Sequence, residues 1–290
     1  MVIGMTVIAF GTSAPEFIVS LNASMAGSSG MAVGNLVGSN VANILLILGV
    51  SGLIQPINAH SKALTRDGGV LFIGTAVFVV FSVDGAFELY DGLLLLLMFV
   101  GFLYYAYDRE RKGISEPSAS HYEHEVNELA VVPRAFWLAS SLVVIGFACL
   151  IGGSDLLVEG CVAIARSFGV NEAVIGLTII AFGTSLPELA ASAMAAYRKH
   201  TDLALGNIVG SNLFNILGVV GVVTIITPMH VPPRIISFDM WIMVFATLIL
   251  TPFLIGKFEV ISRATAGFFL LAYLAYIVAI GYGIGSFKYY

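Results

Sequence analysis

Charged residues are scarce in this chain. Only 11% of its 290 residues are Asp, Glu, Lys or Arg, whereas a soluble domain usually carries about 25%. So few charges exclude a surface that mostly faces water, and the mean hydropathy of +0.96 indicates one that mostly contacts lipid. The formal net charge of −5 argues against a nucleic-acid partner.

Cysteines and catalytic motifs are also scarce. The two cysteines, Cys149 and Cys161, lie in apolar or amphipathic helical sequence, which favours packing residues over a disulfide or a metal pair. The sequence begins without a basic region, and no small-residue cleavage site follows its first apolar stretch. A secretory signal peptide is therefore not predicted. The sequence shows no nucleophile–base pair and no zinc motif, so an enzyme is not expected.

Long apolar stretches, in contrast, fill most of the chain. They lie at about 2–26, 31–54, 69–83, 90–107, 135–166, 171–197, 202–227, 236–255 and 264–285. Each is long enough to span a bilayer with some tilt, and in lipid the backbone must satisfy its own hydrogen bonds. The fold class predicted is therefore an all-α polytopic membrane protein with nine helices. Residues 108–133 form the one long polar connector.

The chain contains an internal repeat. The run GMTVIAFGTSAPEFIVS from Gly4 returns as GLTIIAFGTSLPELAAS from Gly176, and GNLVGSNVANIL from Gly34 returns as GNIVGSNLFNIL from Gly206. Both pairs have the same offset, and Thr, Ser, Pro, Glu and Asn recur in register. Because five helices, an odd number, separate the copies, the second copy enters the membrane from the opposite side, as in inverted-repeat transporters.

Loop charges test this topology. Alternating the sides from Met1 puts ten basic residues on one side and three on the other, which predicts a cytoplasmic 108–133 loop. The ten are Lys62, Arg66, Arg109, Arg111, Lys112, Arg134, Arg198, Lys199, Lys257 and Arg263, and the three are Arg166, Arg234 and Lys288.

The repeat also predicts a division of the chain. Residues 1–107 form an N-terminal half with helices 2–5 and the repeat 4–49, residues 108–133 form the cytoplasmic linker, and residues 134–290 form a C-terminal half with helices 6–10 and the repeat 176–221. By symmetry with the helix at 135–166, a first helix is expected before Met1 and is absent from this sequence.

Two carboxylates stand in the middle of predicted spans. Glu16 and Glu188 each follow a Gly-Thr-Ser and a proline, and buried charges in a membrane helix are costly enough to favour a functional role. Pro15 and Pro187 disrupt the preceding turn, which we expect to free backbone carbonyls near Ala9, Phe10, Ala181 and Phe182.

The residues around these carboxylates are hard oxygen donors. Each copy supplies two hydroxyls after the glycine (Thr12 and Ser13; Thr184 and Ser185) and a hydroxyl with an amide on the second helix (Ser39 and Asn43; Ser211 and Asn215). Such donors suit Ca2+ and Na+ and disfavour Zn2+ and Cu+. Two carboxylates balance one Ca2+ or two Na+, so competition for one cage would couple the two fluxes. A structural kink is the alternative explanation of each Pro–Glu pair.

Other polar residues have less specific interpretations. The GxxxG pairs Gly34/Gly38 and Gly206/Gly210 favour close helix packing. The remaining asparagines, Asn35, Asn40, Asn207 and Asn212, fit either support of the ligands or helix packing. For Asp155 and Glu159 a polar helix end that faces the lipid headgroups is favoured over an ion-entry role. A solvated position is favoured over a functional role for two further groups, Asp84, Glu88 and Asp91, and His121, Glu123, His124 and Glu125.

GTSxPE followed by GNxxGSNxxN, present twice, resembles the α-repeats of the Na+/Ca2+ exchanger family, within the cation/Ca2+ antiporter superfamily. The resemblance covers both repeats and implies ten helices in two inverted halves, Ca2+ and Na+ as transported ions, and no cofactor. It implies that the ions are bound by Glu16, Glu188, Thr12, Ser13, Thr184, Ser185, Ser39, Asn43, Ser211, Asn215 and the carbonyls of Ala9 and Ala181. Some members, K+-dependent ones included, carry Asp in place of Asn215, so K+ independence is expected here.

The function predicted is therefore Na+/Ca2+ exchange by alternating access in a multi-pass protein of the cell (plasma or inner) membrane. A Ca2+/H+ antiporter on the same fold is the nearest alternative, because Glu16 and Glu188 could carry protons. A non-transporting membrane subunit or an inactive fragment is the alternative from another class. Protein partners are not predicted.

Overall fold

The computed structural model describes residues 8–59, 62–112 and 136–283, which form a bundle of long helices joined by short loops. The helices are α1 (residues 8–12), α2 (Ala14–Met25), α3 (Ser29–Ile54), α4 (Lys62–Ser82), α5 (Leu89–Arg111), α6 (Phe136–Ser167), α7 (Glu172–Thr184), α8 (Leu186–Tyr197), α9 (Thr201–Ile226), α10 (Ile235–Leu254) and α11 (Arg263–Gly281). The all-α prediction is confirmed.

Most of these helices are long and apolar enough to cross a membrane. Within the described residues seven pass this test singly, and α7 with α8 forms an eighth candidate, bent by 44°. The protein is an integral multi-pass membrane protein. α3 and α9, the second helices of the two repeats, are the most buried of the candidate spans, so the repeats form the centre of the bundle.

Two helices extend further than the apolar stretches of the sequence. α4 begins at Lys62 rather than at residue 69, because a hydropathy pattern leaves out its polar first turns. In these turns Arg66 Nε lies 2.6 Å from Asp67 Oδ1. α5 continues to Arg111, into the predicted linker. The rest of that linker, from residue 113 to residue 133, lies outside the described residues.

The described ranges contain four two-residue strands, which link loops across the bundle. They are β1 (Ile57–Asn58), β2 (Ala86–Phe87), β3 (Met229–His230) and β4 (Val260–Ile261). β1 pairs with β4 and β2 with β3, both antiparallel. Alternation of the helices places β1 and β4 on one predicted side and β2 and β3 on the other, so each pair joins loops that the topology assigns to the same side.

Glycines permit a close helix contact between α3 and α7. A Cβ on Gly38 would lie 2.6 Å from the Leu177 carbonyl oxygen and 2.7 Å from the Ala181 Cβ. A Cβ on Gly34 would lie 2.7 Å from the Ala173 carbonyl oxygen, and one on Gly176 would lie 2.5 Å from that of Met31. The predicted role of Gly34 and Gly38 in close packing is confirmed, and it brings the first repeat directly against the second.

Both central helices contain a π-helical turn at equivalent places in the repeat. In α3 the turn is Ala42–Ile47, and in α9 it is Phe214–Val219. π turns widen the helix by one residue and are frequent at functional sites. Asn43 and Asn215 are the second residues of these turns, so the wider turn sets the direction of two predicted ligands.

Candidate ion-binding site

The site begins at two breaks in the helices. Ser13 separates α1 from α2 with φ −87° and ψ 7°, and Ser185 separates α7 from α8 with φ −84° and ψ 5°. A proline follows in the first turn of each second helix, where its missing N–H does not interrupt a helical hydrogen bond. The breaks predicted from Pro15 and Pro187 are therefore present, one residue before α2 and α8.

Glu16 and Glu188 lie in the first turns of α2 and α8, and both are completely buried. The amino end of a helix carries a partial positive charge, which favours a carboxylate there. The serine of each break reaches the carboxylate of the other repeat: Ser185 Oγ donates to Glu16 Oε1 at 2.9 Å, and Ser13 Oγ donates to Glu188 Oε1 at 2.6 Å. These crossed hydrogen bonds bring the two carboxylates into one site.

The remaining predicted side-chain ligands are also buried at this site. Ser211 Oγ donates to Glu188 Oε1 at 3.4 Å, while the equivalent Ser39 Oγ has no hydrogen-bond partner. Thr184 Oγ1 lies 3.0 Å from the Ile180 carbonyl oxygen, and Thr12 Oγ1 lies 3.3 Å from that of Ala9.

The carbonyls of Ala9 and Ala181 differ from the prediction. They accept the backbone N–H of Ser13 at 3.0 Å and of Ser185 at 3.2 Å, so the breaks do not free them. The reason is that the prolines lie two residues further along and remove different N–H groups. The Ala9 oxygen also lies 3.3 Å from Thr12 Oγ1, and the Ala181 oxygen lies 3.5 Å from Thr184 Oγ1. A carbonyl oxygen has two lone pairs, so a cation that bound either carbonyl would compete with the neighbouring threonine hydroxyl.

Several buried oxygens at the site have no hydrogen-bond partner. They are Glu16 Oε2, Glu188 Oε2, Ser39 Oγ, Asn43 Oδ1 and Asn215 Oδ1. An unpaired buried carboxylate oxygen is strongly destabilising unless a cation or a proton neutralises it. Among the residues described, no three His, Cys, Asp or Glu side chains form a group that could hold a metal. The donors are thus two carboxylates with neutral hydroxyl and amide oxygens, a set that suits a hard cation.

Two serines of the site were missed by sequence reasoning. Asn35 Nδ2 donates to Ser20 Oγ at 3.0 Å, and Asn207 Nδ2 donates to Ser192 Oγ at 3.0 Å. Ser20 and Ser192 lie four residues after the glutamates and recur in register, a signal that could have identified them. Asn35 also lies 3.4 Å from the Glu16 carbonyl oxygen and accepts from Thr184 Oγ1 at 3.1 Å, so it supports residues of both repeats.

The two halves of the site are not equivalent. Three hydrogen bonds at the site have no counterpart between the repeat-related residues. They are the bonds from Ser211 to Glu188, from Thr184 to Asn35 and from Asn43 to Asn212. Among the repeat-related residues, four side-chain oxygens have no hydrogen-bond partner, namely Ser39 Oγ, Asn207 Oδ1, Asn40 Oδ1 and Asn215 Oδ1. Inverted repeats that alternate access cannot be equivalent except when both sides are closed.

The other polar residues considered from the sequence lie away from this site. Asp84, Glu88 and Glu159 are exposed, and Asp91 follows the loop that contains β2. The side chain of Asp155 and the group His121, Glu123, His124 and Glu125 lie outside the described residues. Cys149 is an exposed free thiol, and the side chain of Cys161 is outside the described part.

A buried, two-carboxylate site between inverted, broken helices defines a class of protein, the membrane transporters of small cations. The sodium/calcium exchanger protein family matches residues 1–107 and 138–282, and the chain belongs to this family. It is a transporter and not an enzyme.

Relatives and solved structures agree with this assignment. The chain is 41% identical over 279 residues to the putative antiporter CaxA of Alkalimonas amylolytica, covering 95% of this chain and 86% of the relative. It is 29% identical over 313 residues to the sodium/calcium exchanger MaX1 of Methanosarcina acetivorans, covering 97% and 89%. A solved structure of the sodium–calcium exchanger NCX_Mj matches with a TM-score of 0.74 at 32% identity, covering 97% of this chain and 86% of that one.

Proposed function

We propose that this protein exchanges Na+ for Ca2+ across a cell membrane, without K+, at a single site that contains both Glu16 and Glu188. The observation that carries the proposal is the crossed pair of hydrogen bonds from Ser13 to Glu188 and from Ser185 to Glu16. These bonds make each carboxylate part of a site built from both repeats.

Charge balance supplies the mechanism of coupling. Two carboxylates neutralise one Ca2+ or two Na+, and a buried site tolerates little uncompensated charge. The two ion sets then compete for the same oxygens. Binding of one set requires release of the other, so the Na+ gradient drives Ca2+ in the opposite direction.

The remaining ligands complete the shell. Ca2+ takes about six to eight oxygens in a flexible geometry. We assign Thr12, Ser13, Thr184, Ser185, Ser39, Asn43, Ser211, Asn215 and the carbonyls of Ala9 and Ala181 to this shell, together with both glutamates. The partner-free oxygens of Ser39, Asn43 and Asn215 support their inclusion.

The organisation proposed is the one that the repeat predicts. Residues 1–107 and 134–290 act as two halves that move relative to each other, with 108–133 as a cytoplasmic linker. The pairing of β1 with β4 and of β2 with β3 supports alternate helix directions.

Coupling to H+ is the second candidate. The same partner-free oxygens, Glu16 Oε2 and Glu188 Oε2, could each hold a proton in place of a shared cation. Neutral hydroxyl and amide oxygens around both groups favour Na+, since protons do not need such a shell.

The test compares the two gradients directly. Vesicles that contain the protein are loaded with Na+ at equal pH on both sides, or with acid at equal Na+, and 45Ca2+ uptake is followed at clamped membrane potential. Uptake driven by Na+ alone is expected. Uptake driven only by the pH gradient would instead establish the Ca2+/H+ antiporter, and no uptake with either would refute Ca2+ antiport.

A further inference from the structure

Three asparagines form a chain of hydrogen bonds between the repeats. Asn212 Nδ2, on α9, lies 3.4 Å from the carbonyl oxygen of Asn40 on α3, to which it donates. Asn43 Nδ2, one turn further along α3, donates to Asn212 Oδ1 at 2.9 Å. The three side chains are buried, so no solvent competes for these bonds.

The order of donors and acceptors in this chain fixes the direction of each amide. A backbone carbonyl can only accept, so the NH2 group of Asn212 must face Asn40 and its oxygen must face Asn43. Asn43 then has to turn its NH2 group towards that oxygen, because two amide oxygens in contact repel each other. The oxygen of Asn43 is left pointing away from Asn212, buried and without a hydrogen-bond partner.

Direction matters for an amide in a cation site. The oxygen attracts a cation, whereas the NH2 group carries partial positive charge and repels it. A rotation of the Asn43 side chain by half a turn would therefore replace a ligand by a repulsive group.

We infer that Asn212 is a positioning residue, which holds Asn43 with its oxygen available to the transported ion. This inference rests on the proposed function, because it takes Asn43 as an ion ligand. Asn212 itself does not bind the ion.

The equivalent residues of the other repeat provide a contrast. Asn215 corresponds to Asn43, and neither its Nδ2 nor its Oδ1 has a partner. Asn40 corresponds to Asn212, and its Oδ1 is also without a partner because its Nδ2 donates to Leu36 in its own helix, at 2.7 Å. The contact between Asn43 and Asn212 is thus specific to these two residues and not a general result of packing α3 against α9.

The test measures equilibrium binding of Ca2+ to the purified full-length protein in Na+-free buffer. Asn212→Leu keeps the approximate size and removes the acceptor. The substitution removes both hydrogen bonds of the Asn212 side chain, and the loss of the Asn43 orientation is expected to raise the Ca2+ dissociation constant about tenfold. If Asn212→Leu does not insert, Asn212→Ser is used with the same expectation, since its short side chain does not reach Asn43.

The same Asn212 substitution in a protein that also carries Asn43→Asp separates a positioning role of Asn212 from a structural one. Asp at position 43 has two equivalent oxygens and no NH2 group, so it needs no orientation. In an Asn43→Asp background, Asn212→Leu should not weaken Ca2+ binding further, and it should strengthen binding if the Asn212 oxygen repels the new carboxylate.

The outcomes are distinguishable. A tenfold loss in the native background with no loss in the Asn43→Asp background supports the positioning role. Equal losses in both backgrounds, or native binding by Asn212→Leu, would overturn it while leaving the proposed function intact. Failure of the unmodified protein to bind Ca2+ would refute both.

Discussion

The carboxylates of Glu16 and Glu188 each accept hydroxyl hydrogen bonds on one oxygen and have none on the other. The hydroxyl that reaches Glu16 and the shorter of the two that reach Glu188 come from the opposite repeat, so neither half builds the site alone. A neutral side chain at either position would keep the shape and remove one of the two charges that we propose to balance Ca2+.

Glu16→Gln and Glu188→Gln are each expected to abolish 45Ca2+ uptake. The reason is that Ca2+ would carry an uncompensated charge into a buried site. Both variants should be present in the membrane at native amounts, measured by immunoblot of membrane fractions. Glu88→Gln, at an exposed position in the loop before α5, serves as the control and should transport normally. Near-native uptake by Glu16→Gln would place the site elsewhere.

The presence of Asn rather than Asp at position 215 leads us to expect that Ca2+ transport does not depend on K+. Its amide adds no charge, so Ca2+ and the two carboxylates balance without a further cation. At a fixed Na+ gradient and clamped potential, replacing K+ by choline on both sides should leave the rate of Ca2+ uptake unchanged. A rate that falls with the removal of K+ would contradict this prediction.

At the scale of helices, one design occurs twice. A short helix ends at a serine, a proline-containing helix restarts, and a long helix with a π turn packs beside it. The breaks place the glutamates at helix amino ends, and the π turns place Asn43 and Asn215. Close contact between α3 and α7 through glycine then joins the two copies.

Gly38→Ala tests this contact. The added methyl group would meet the Leu177 carbonyl and the Ala181 side chain at distances well below van der Waals contact. Overpacking of this kind costs roughly 1–3 kcal/mol, and here it also displaces the segment before Ser185. We expect a lower melting temperature in detergent and a reduced rate of Ca2+ uptake.

Gly101→Ala is the matched control for that experiment. Gly101 lies in the spanning helix α5, and a Cβ there meets nothing within 4 Å. Its melting temperature and uptake should equal those of the native protein. If Gly38→Ala behaves in the same way, the contact between α3 and α7 does not control the site.

At the scale of the whole molecule, successive helices are expected to cross the membrane in alternate directions. This alternation assigns both the basic residues of the loops and the paired strands to one side or the other. The side that carries ten of the thirteen basic residues also carries β1 and β4. The basic side is expected to face the cytoplasm. The linker 108–133 is then expected in the cytoplasm, and Tyr290, at the carboxyl end, is expected outside.

Cysteine labelling in intact cells tests this orientation. In a background with Cys149 and Cys161 replaced by Ser, Ser118→Cys should react with a membrane-impermeant maleimide only after lysis. Tyr290→Cys should react before lysis. Labelling of position 118 in intact cells would reverse the proposed topology.

Much of the fold followed from local pattern. Each apolar stretch that the structure describes is helical, as one helix or as a pair of helices broken at a serine, because lipid leaves the backbone few alternatives. The predicted start of α4 was too late because a hydropathy pattern marks the apolar part of a helix and leaves out polar first turns, which here include Arg66 and Asp67. The π turns at Asn43 and Asn215 were not anticipated, since no residue type specifies a π turn as proline specifies a break.

The sequence by itself determined that two equal sets of oxygen donors exist and that the helices carrying them cross the membrane in opposite directions. Those facts depend on residue identity, order and the count of helices between the copies. Only the tertiary structure decided which atoms meet: Ser13 with Glu188 and Asn43 with Asn212, while Asn215 has no partner. A repeated sequence specifies both copies alike, so the difference between them arises from how α3, α7 and α9 pack together in space.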